Sequence, residues 1–106
     1  MVSSHMAKVG YVYIMSNVNR TTFYVGVTSN IERRVLAHKA GVGSEFTSKY
    51  NLYDLLLAER LPDIEAAIRR EKQIKNWHRD WKLNLIRSVN PQFKDLFDQY
   101  FEDVEK

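Results

Sequence analysis

Hydrophobic and polar positions alternate from Lys8 to Met15, around Val12 and Ile14, with the two-residue period of a β-strand. Asn17-Val18-Asn19-Arg20 interrupts the alternation and reads as a turn. Thr21 to Thr28 is rich in β-branched and aromatic residues and predicts a second strand. Asn30 suits a helix N-cap, and the helix it opens is expected to run to about Ala40. The segment GVGSEFTSKYN (residues 41–51) begins with Gly41 and Gly43 and reads as a loop. Leu52 to Glu59 (LYDLLLAE) is an apolar run, read as a largely buried third strand, although its Leu and Ala also suit a helix. Pro62-Asp63 starts a helix to about Trp77, and a further helix covers Asp80 to Arg87. Asn90-Pro91 breaks the chain and caps a last helix, in which Phe93, Leu96, Phe97, Tyr100, Phe101 and Val104 form a core stripe. The order β-β-α-β-α-α-α predicts an α+β fold, a small three-stranded antiparallel sheet flanked by helices.

A chain of 106 residues has room for one domain, assigned to residues 7–106 with its C-terminal helix. The first six residues, MVSSHM, are read as an expression scar and set aside with His5. No apolar run approaches the roughly 20 residues of a membrane span. Cysteine is absent, which excludes disulfides and thiolate metal sites and fits a reducing, cytoplasmic setting. The net charge of +3 is unevenly spread. Residues 69–87 carry seven Lys/Arg against two acids, while residues 93–106 carry two against five. A basic segment interleaved with Trp77 and Trp81 suits a polyanion such as nucleic acid, and it equally suits a solvated helix surface with its tryptophans turned inward.

Some positions do not fit a plain core. Tyr11, Tyr13 and Met15 share one strand face, as do Thr22, Tyr24 and Gly26 on the next. A turn centred on Val18-Asn19 would place Tyr13 opposite Tyr24 and Tyr11 opposite Gly26. Such phenols suit packing or the floor of a cleft. On the following helix, Ile31, Arg34, Val35 and His38 fall on one face, bringing an arginine and a histidine inward. Arg34 can snorkel to water and His38 can be a satisfied core histidine. On the helix after Pro62, Glu71 lies mid-stripe among Ala67, Ile68 and Ile74. A carboxylate there needs a partner, and a salt bridge to Arg34 and a bound metal both satisfy that need.

With these residues in place, the chain resembles the GIY-YIG nucleases. Tyr11-Val12-Tyr13 matches the first motif of the family's name, with Tyr11 where the name has glycine, and Tyr24-Val25-Gly26 matches the second. NIERRVLAH is similar to the family's next helix, its functional arginine falling on Arg34 and a frequent histidine on His38. EAAIRREKQIKNW is similar to the later helix, its metal-binding glutamate falling on Glu71. The FTSKY loop and the Asn90-Pro91 region resemble the small stand-alone bacterial members, so the likeness spans about Val9 to Leu96.

The resemblance implies a nuclease that hydrolyses phosphodiesters in nucleic acid, expected to be DNA, with a single Mg²⁺ or Mn²⁺ on Glu71. Tyr13 is then the general base, Tyr24 positions water or phosphate, Arg34 binds the phosphate and His38 relays a proton. Gly26 would leave room for the phosphate or the attacking water. A free phenol has a pKa of about 10, so the site is expected to lower that of Tyr13. Lys49, Lys72, Lys75, Arg79 and Lys82 are the expected phosphate contacts, which bring little base specificity. Structure- or single-strand-directed cleavage therefore fits better than sequence-specific cutting. A nucleic-acid-binding module with little catalysis and a partner-recruiting domain in DNA repair remain alternative readings.

Overall fold

The computed structural model describes residues 9–101. The segment MVSSHM, read from the sequence as an expression scar, and Val104 lie outside the described residues. Three strands, β1 (Gly10–Ser16), β2 (Phe23–Thr28) and β3 (Asp54–Leu61), form one antiparallel sheet in the order β2-β1-β3. The helices are α1 (Ile31–Lys39), α2 (Glu45–Lys49), α3 (Ile64–Lys75), α4 (Arg79–Val89) and α5 (Phe97–Phe101). None is long and apolar enough to cross a membrane.

Capping chemistry explains the helix starts. The side chains of Asn30, Ser44 and Asp63 accept from the backbone N–H groups of Arg33, Thr47 and Ala66. The Ser44 cap creates α2 inside the segment expected to be loop. Its one and a half turns are too short to show a hydrophobic period.

The hairpin register differs from the expected one by two residues. Tyr13 lies opposite Gly26 and Met15 opposite Tyr24. The cause is the Asn17 side chain, whose Oδ1 accepts from the N–H groups of Thr21 and Thr22 and holds a longer connection closed. Arg20 supports that connection in the left-handed region, at φ 59°. A shift of two preserves which side chains share a face, so Tyr13 and Tyr24 still lie on one side.

The sheet is covered on both faces. One core joins Val12, Ile14, Val25, Leu56 and Leu57 to Ala67 and Ile74 of α3 and Ile86 of α4. The other joins Tyr13, Met15 and Leu55 to Val35 of α1, Leu52 and Leu96. A bulge in β3 between the partners of Ile14 and Met15 turns both Leu56 and Leu57 toward the first core. Asn90 Nδ2 donates to the Leu56 carbonyl, 3.1 Å away.

Asn90 therefore closes the C-terminus of α4, its N–H donating to the Ile86 carbonyl, and does not cap the last helix as expected. Its side chain also bonds the backbone N–H and carbonyl of Lys94 and closes a loop. The Leu96 N–H then donates to the Leu55 carbonyl at 2.7 Å, and the Leu55 N–H to Asp95 Oδ1 at 2.9 Å. These bonds tie Asp95 and Leu96 to the start of β3, so α5 begins only at Phe97. The expected single stripe is divided, with Phe93 against the first core and Leu96 and Phe97 in the second.

Candidate active site

Tyr13 is fully buried at the centre of the second face. Its hydroxyl lies 2.8 Å from His38 Nε2, and Arg34 Nε donates to it at 3.4 Å. The two α1 residues reach it together because they are one turn apart on a helix that packs against β3 and puts Val35 in the same core as Tyr13. The Tyr24 ring completes the group, 6.3 Å from Tyr13 and 5.5 Å from His38 between centroids. Tyr24 and Arg34 are half-buried and form the outward edge of the cluster. Beside them a polar hollow is lined by Thr28, Ser29, Asn30, Arg33, Arg34 and Ala37.

Two glycines make this packing possible. A Cβ on Gly26 would clash with the hydroxyl end of the Tyr13 ring, and one on Gly43 with the His38 imidazole. The space above Gly26, expected to receive phosphate or water, is thus filled by the Tyr13 phenol. Tyr13 stands directly across from Gly26, and an aromatic ring folds over a glycine on an edge strand. Gly43, Ser44 and Thr47 are the site residues that motif reasoning passes over. Ser44 as an N-cap residue followed by the acidic Glu45 was the available signal.

Burial pushes the Tyr13 phenol up to about 12, with the Arg34 hydrogen bond only partly offsetting it. This is opposite to the expected lowering, because desolvation of a phenolate outweighs one guanidinium. The Arg34 guanidinium is shifted up, chiefly by its bond to Tyr13. His38 is held down at about 4, first by burial and then by the positive charge of Arg34.

A stability effect follows from His38. An unfolded imidazole titrates near 6.5. Between that pH and about 4 the unfolded chain binds a proton that the folded chain refuses. Stability present above pH 6.5 is therefore lost as the pH falls through this window, by on the order of 2–3 kcal/mol. Urea unfolding of wild type and His38→Gln at pH 7 and pH 4.5 checks this. The variant should lose less stability on acidification, and an equal loss in both would clear His38 of the effect.

Glu71 comes from α3, the helix of the opposite layer, and is 9% exposed. Its charge is felt at the Tyr13 phenol, where it opposes ionisation. The Arg34 salt bridge considered from the sequence does not form. Arg34 bonds the Tyr13 phenol, and Glu71 Oε2 pairs with Lys75 Nζ at 2.5 Å, one turn along its own helix. Lys75 is thereby engaged at Glu71, although half of its side chain stays exposed. Among the described residues no group of three or more His, Cys, Asp or Glu could enclose a metal.

The other basic residues are spread along the surface. Lys72 is exposed, Lys82 half-buried, and Arg79 lies over the Phe23 ring at 4.9 Å. Lys49 lies over Tyr50 at 5.4 Å. Tyr50 continues a run of rings through Phe46 to Tyr24. Trp77 packs on the first core, and Trp81 meets it edge-on while remaining 57% exposed.

Comparison with known proteins gives the family and the fold. The model of the GIY-YIG catalytic domain matches residues 9–84. A UPF0213 protein of Natronomonas pharaonis is 40% identical over 81 residues, covering 76% of this chain and 94% of its own. One from Staphylococcus haemolyticus is 36% identical, covering 72% of this chain and 92% of its own. The solution NMR structure of the UPF0213 protein of Bacillus halodurans superposes with a TM-score of 0.54 at 26% identity, over 85% of this chain and 95% of that one. The tyrosines on facing strands, the arginine and histidine of the next helix and the glutamate of α3 all fall within the matched residues, and the chain belongs to the GIY-YIG catalytic domain family.

Proposed function

We propose that the protein hydrolyses phosphodiester bonds in nucleic acid, with one Mg²⁺ or Mn²⁺ held at Glu71. The observation that carries this reading is the hydrogen-bonded cluster of Tyr13, His38 and Arg34. A purely structural role gives little reason to gather a buried phenol, a buried imidazole and a half-buried guanidinium.

The donor chemistry at Glu71 fits a hard, hydrated cation. Mg²⁺ commonly takes one or two carboxylates and keeps its waters, whereas zinc needs a fuller set of protein ligands. When bound, such an ion supplies charge neutralisation at the phosphate and at the leaving oxygen. Lys75 already holds a positive charge against Glu71 and would have to release it.

The chain's own groups divide the remaining work. Arg34 donates to the phosphate as charge develops, for which its planar fork is suited. Tyr24, on the outward edge, orients the phosphate or the attacking water. For Tyr13 to take the water's proton while passing its own to His38 Nε2, 2.8 Å away, the half-buried Tyr24 and Arg34 must move aside and admit the water to a phenol they otherwise help to cover. A bound phosphate also cancels the Arg34 charge that helps depress His38, making the imidazole a better acceptor at that moment.

The expected substrate is DNA, cut with little sequence preference. Lys49, Lys72, Arg79 and Lys82 offer phosphate contacts, and the exposed rings of Phe46, Tyr50 and Trp81 suit stacking on unpaired bases. The deciding experiment is cleavage of labelled single-stranded, duplex and branched DNA and RNA with Mg²⁺ or Mn²⁺. Binding should weaken steeply with salt, and neutralising Lys72 and Lys82 together should reduce the slope by about two. Salt-dependent binding without cleavage of any substrate would favour the binding-module reading.

A further inference from the structure

We propose that Thr47 is a positioning residue, which fixes His38 in the Nδ1–H tautomer and so aims the Tyr13 proton at Nε2. The inference depends on the hydrolytic reading for its effect on rate, but not for its effect on the tautomer.

The direction of each hydrogen bond follows from counting protons. The Tyr13 oxygen already receives the Arg34 Nε–H. That leaves the phenol's own proton to place, in a side chain with no exposure to water. The acceptor within reach is His38 Nε2 at 2.8 Å, so Nε2 carries no proton. His38 is neutral near pH 7, so its one ring proton is on Nδ1. Nδ1 lies 2.9 Å from Thr47 Oγ1, which therefore accepts from it. The Thr47 hydroxyl then sends its own proton to Ser44, whose Oγ is 2.9 Å and whose carbonyl is 3.3 Å away.

The opposite assignment fails at Tyr13. If Thr47 donated to Nδ1, Nε2–H would point at a phenol oxygen already receiving Arg34, and the buried phenol proton would lose its acceptor. Such an orphan is disfavoured. The relay is also held from outside the ring pair. Thr47 is fully buried, α2 is capped by Ser44, and Gly43 gives the imidazole its space. The short helix missed by the hydrophobic pattern thus presents the hydroxyl that orients the histidine.

The test compares wild type, Thr47→Val and Thr47→Ser. Imidazole ¹⁵N spectra report the tautomer, with the His38 signals identified by their loss in His38→Gln. Wild type should show protonated Nδ1 and bare Nε2. Thr47→Val keeps the shape and removes the acceptor. It should move the ring toward Nε2–H and lower kcat at least about tenfold, because part of the general-base contribution is lost, with KM little changed. Thr47→Ser should restore both, and melting curves with amide spectra confirm that each variant is folded. A wild-type ring protonated on Nε2, or a folded Val variant with the wild-type tautomer, would overturn the proposal. If wild type cleaves none of the tested substrates, the hydrolytic reading falls, and the tautomer comparison alone still decides the role of Thr47.

Discussion

Tyr13→Phe should lose cleavage by about 10²-fold or more, the usual worth of a general base. The same change should lower the melting temperature. The hydroxyl is buried against His38 Nε2 and Arg34 Nε, so its removal leaves an unpaired acceptor and weakens the hold on a guanidinium. An unsatisfied buried group costs about 1–3 kcal/mol. In a domain of this size each kcal/mol moves Tm by roughly 4–8 °C, so a drop on the order of 10 °C is expected. Read from the sequence alone, where Tyr13 lies on a strand face that suits packing or a cleft floor, the substitution should leave Tm nearly unchanged. Cleavage assays and thermal melts of both proteins separate the two effects. Wild-type turnover by the Phe variant would remove Tyr13 from the mechanism.

Glu71→Gln should abolish metal-dependent cleavage with little change in the stability of the metal-free protein. Had Glu71 neutralised Arg34 in the core, Gln would strand a buried cation and cost several kcal/mol, about 3–5. The partner is instead Lys75, whose side chain is 50% exposed and can return its ammonium to water. Pairs of that kind are worth about 0–1 kcal/mol. The variant should also lose any rise in Tm that wild type shows with Mg²⁺ or Mn²⁺, since a ligand stabilises in proportion to its binding of the folded state. Melting with and without metal, together with cleavage, decides the matter. A Gln variant that cleaves with Mg²⁺ at the wild-type rate would dismiss Glu71 as the metal ligand.

Both predictions draw on residues visible before any coordinates. The alternation around Val12 and Ile14, the Asn30 and Asp63 caps and the apolar run through Leu57 determined the sheet strands and two principal helices. Those signals are local, set by backbone preferences within a few residues. The ordered set of Tyr13, Tyr24, Arg34, His38 and Glu71 was equally legible, because strand and helix periods place each side chain on an inward face. The five-residue α2 was not, since a helix that short depends on its Ser44 cap more than on any period. The late start of α5 was hidden for another reason. Bonds from Asp95 and Leu96 to Leu55 cross about 40 residues of sequence and override a helical apolar pattern.

Sequence by itself thus determined the three strands, the helices opened by Asn30 and Asp63 with those caps, and the chemical groups available to the site. Tertiary structure alone decided how those groups meet. The strand order β2-β1-β3 places Tyr13 on the central strand, where it is sealed from water. The Asn17 loop sets the register that lays the phenol over Gly26. The packing of α1 gives Arg34 to Tyr13, which leaves Glu71 to Lys75. Each outcome is a choice among partners distant in the chain, made by burial and by the need to satisfy every buried donor and acceptor, and neither condition can be evaluated one segment at a time.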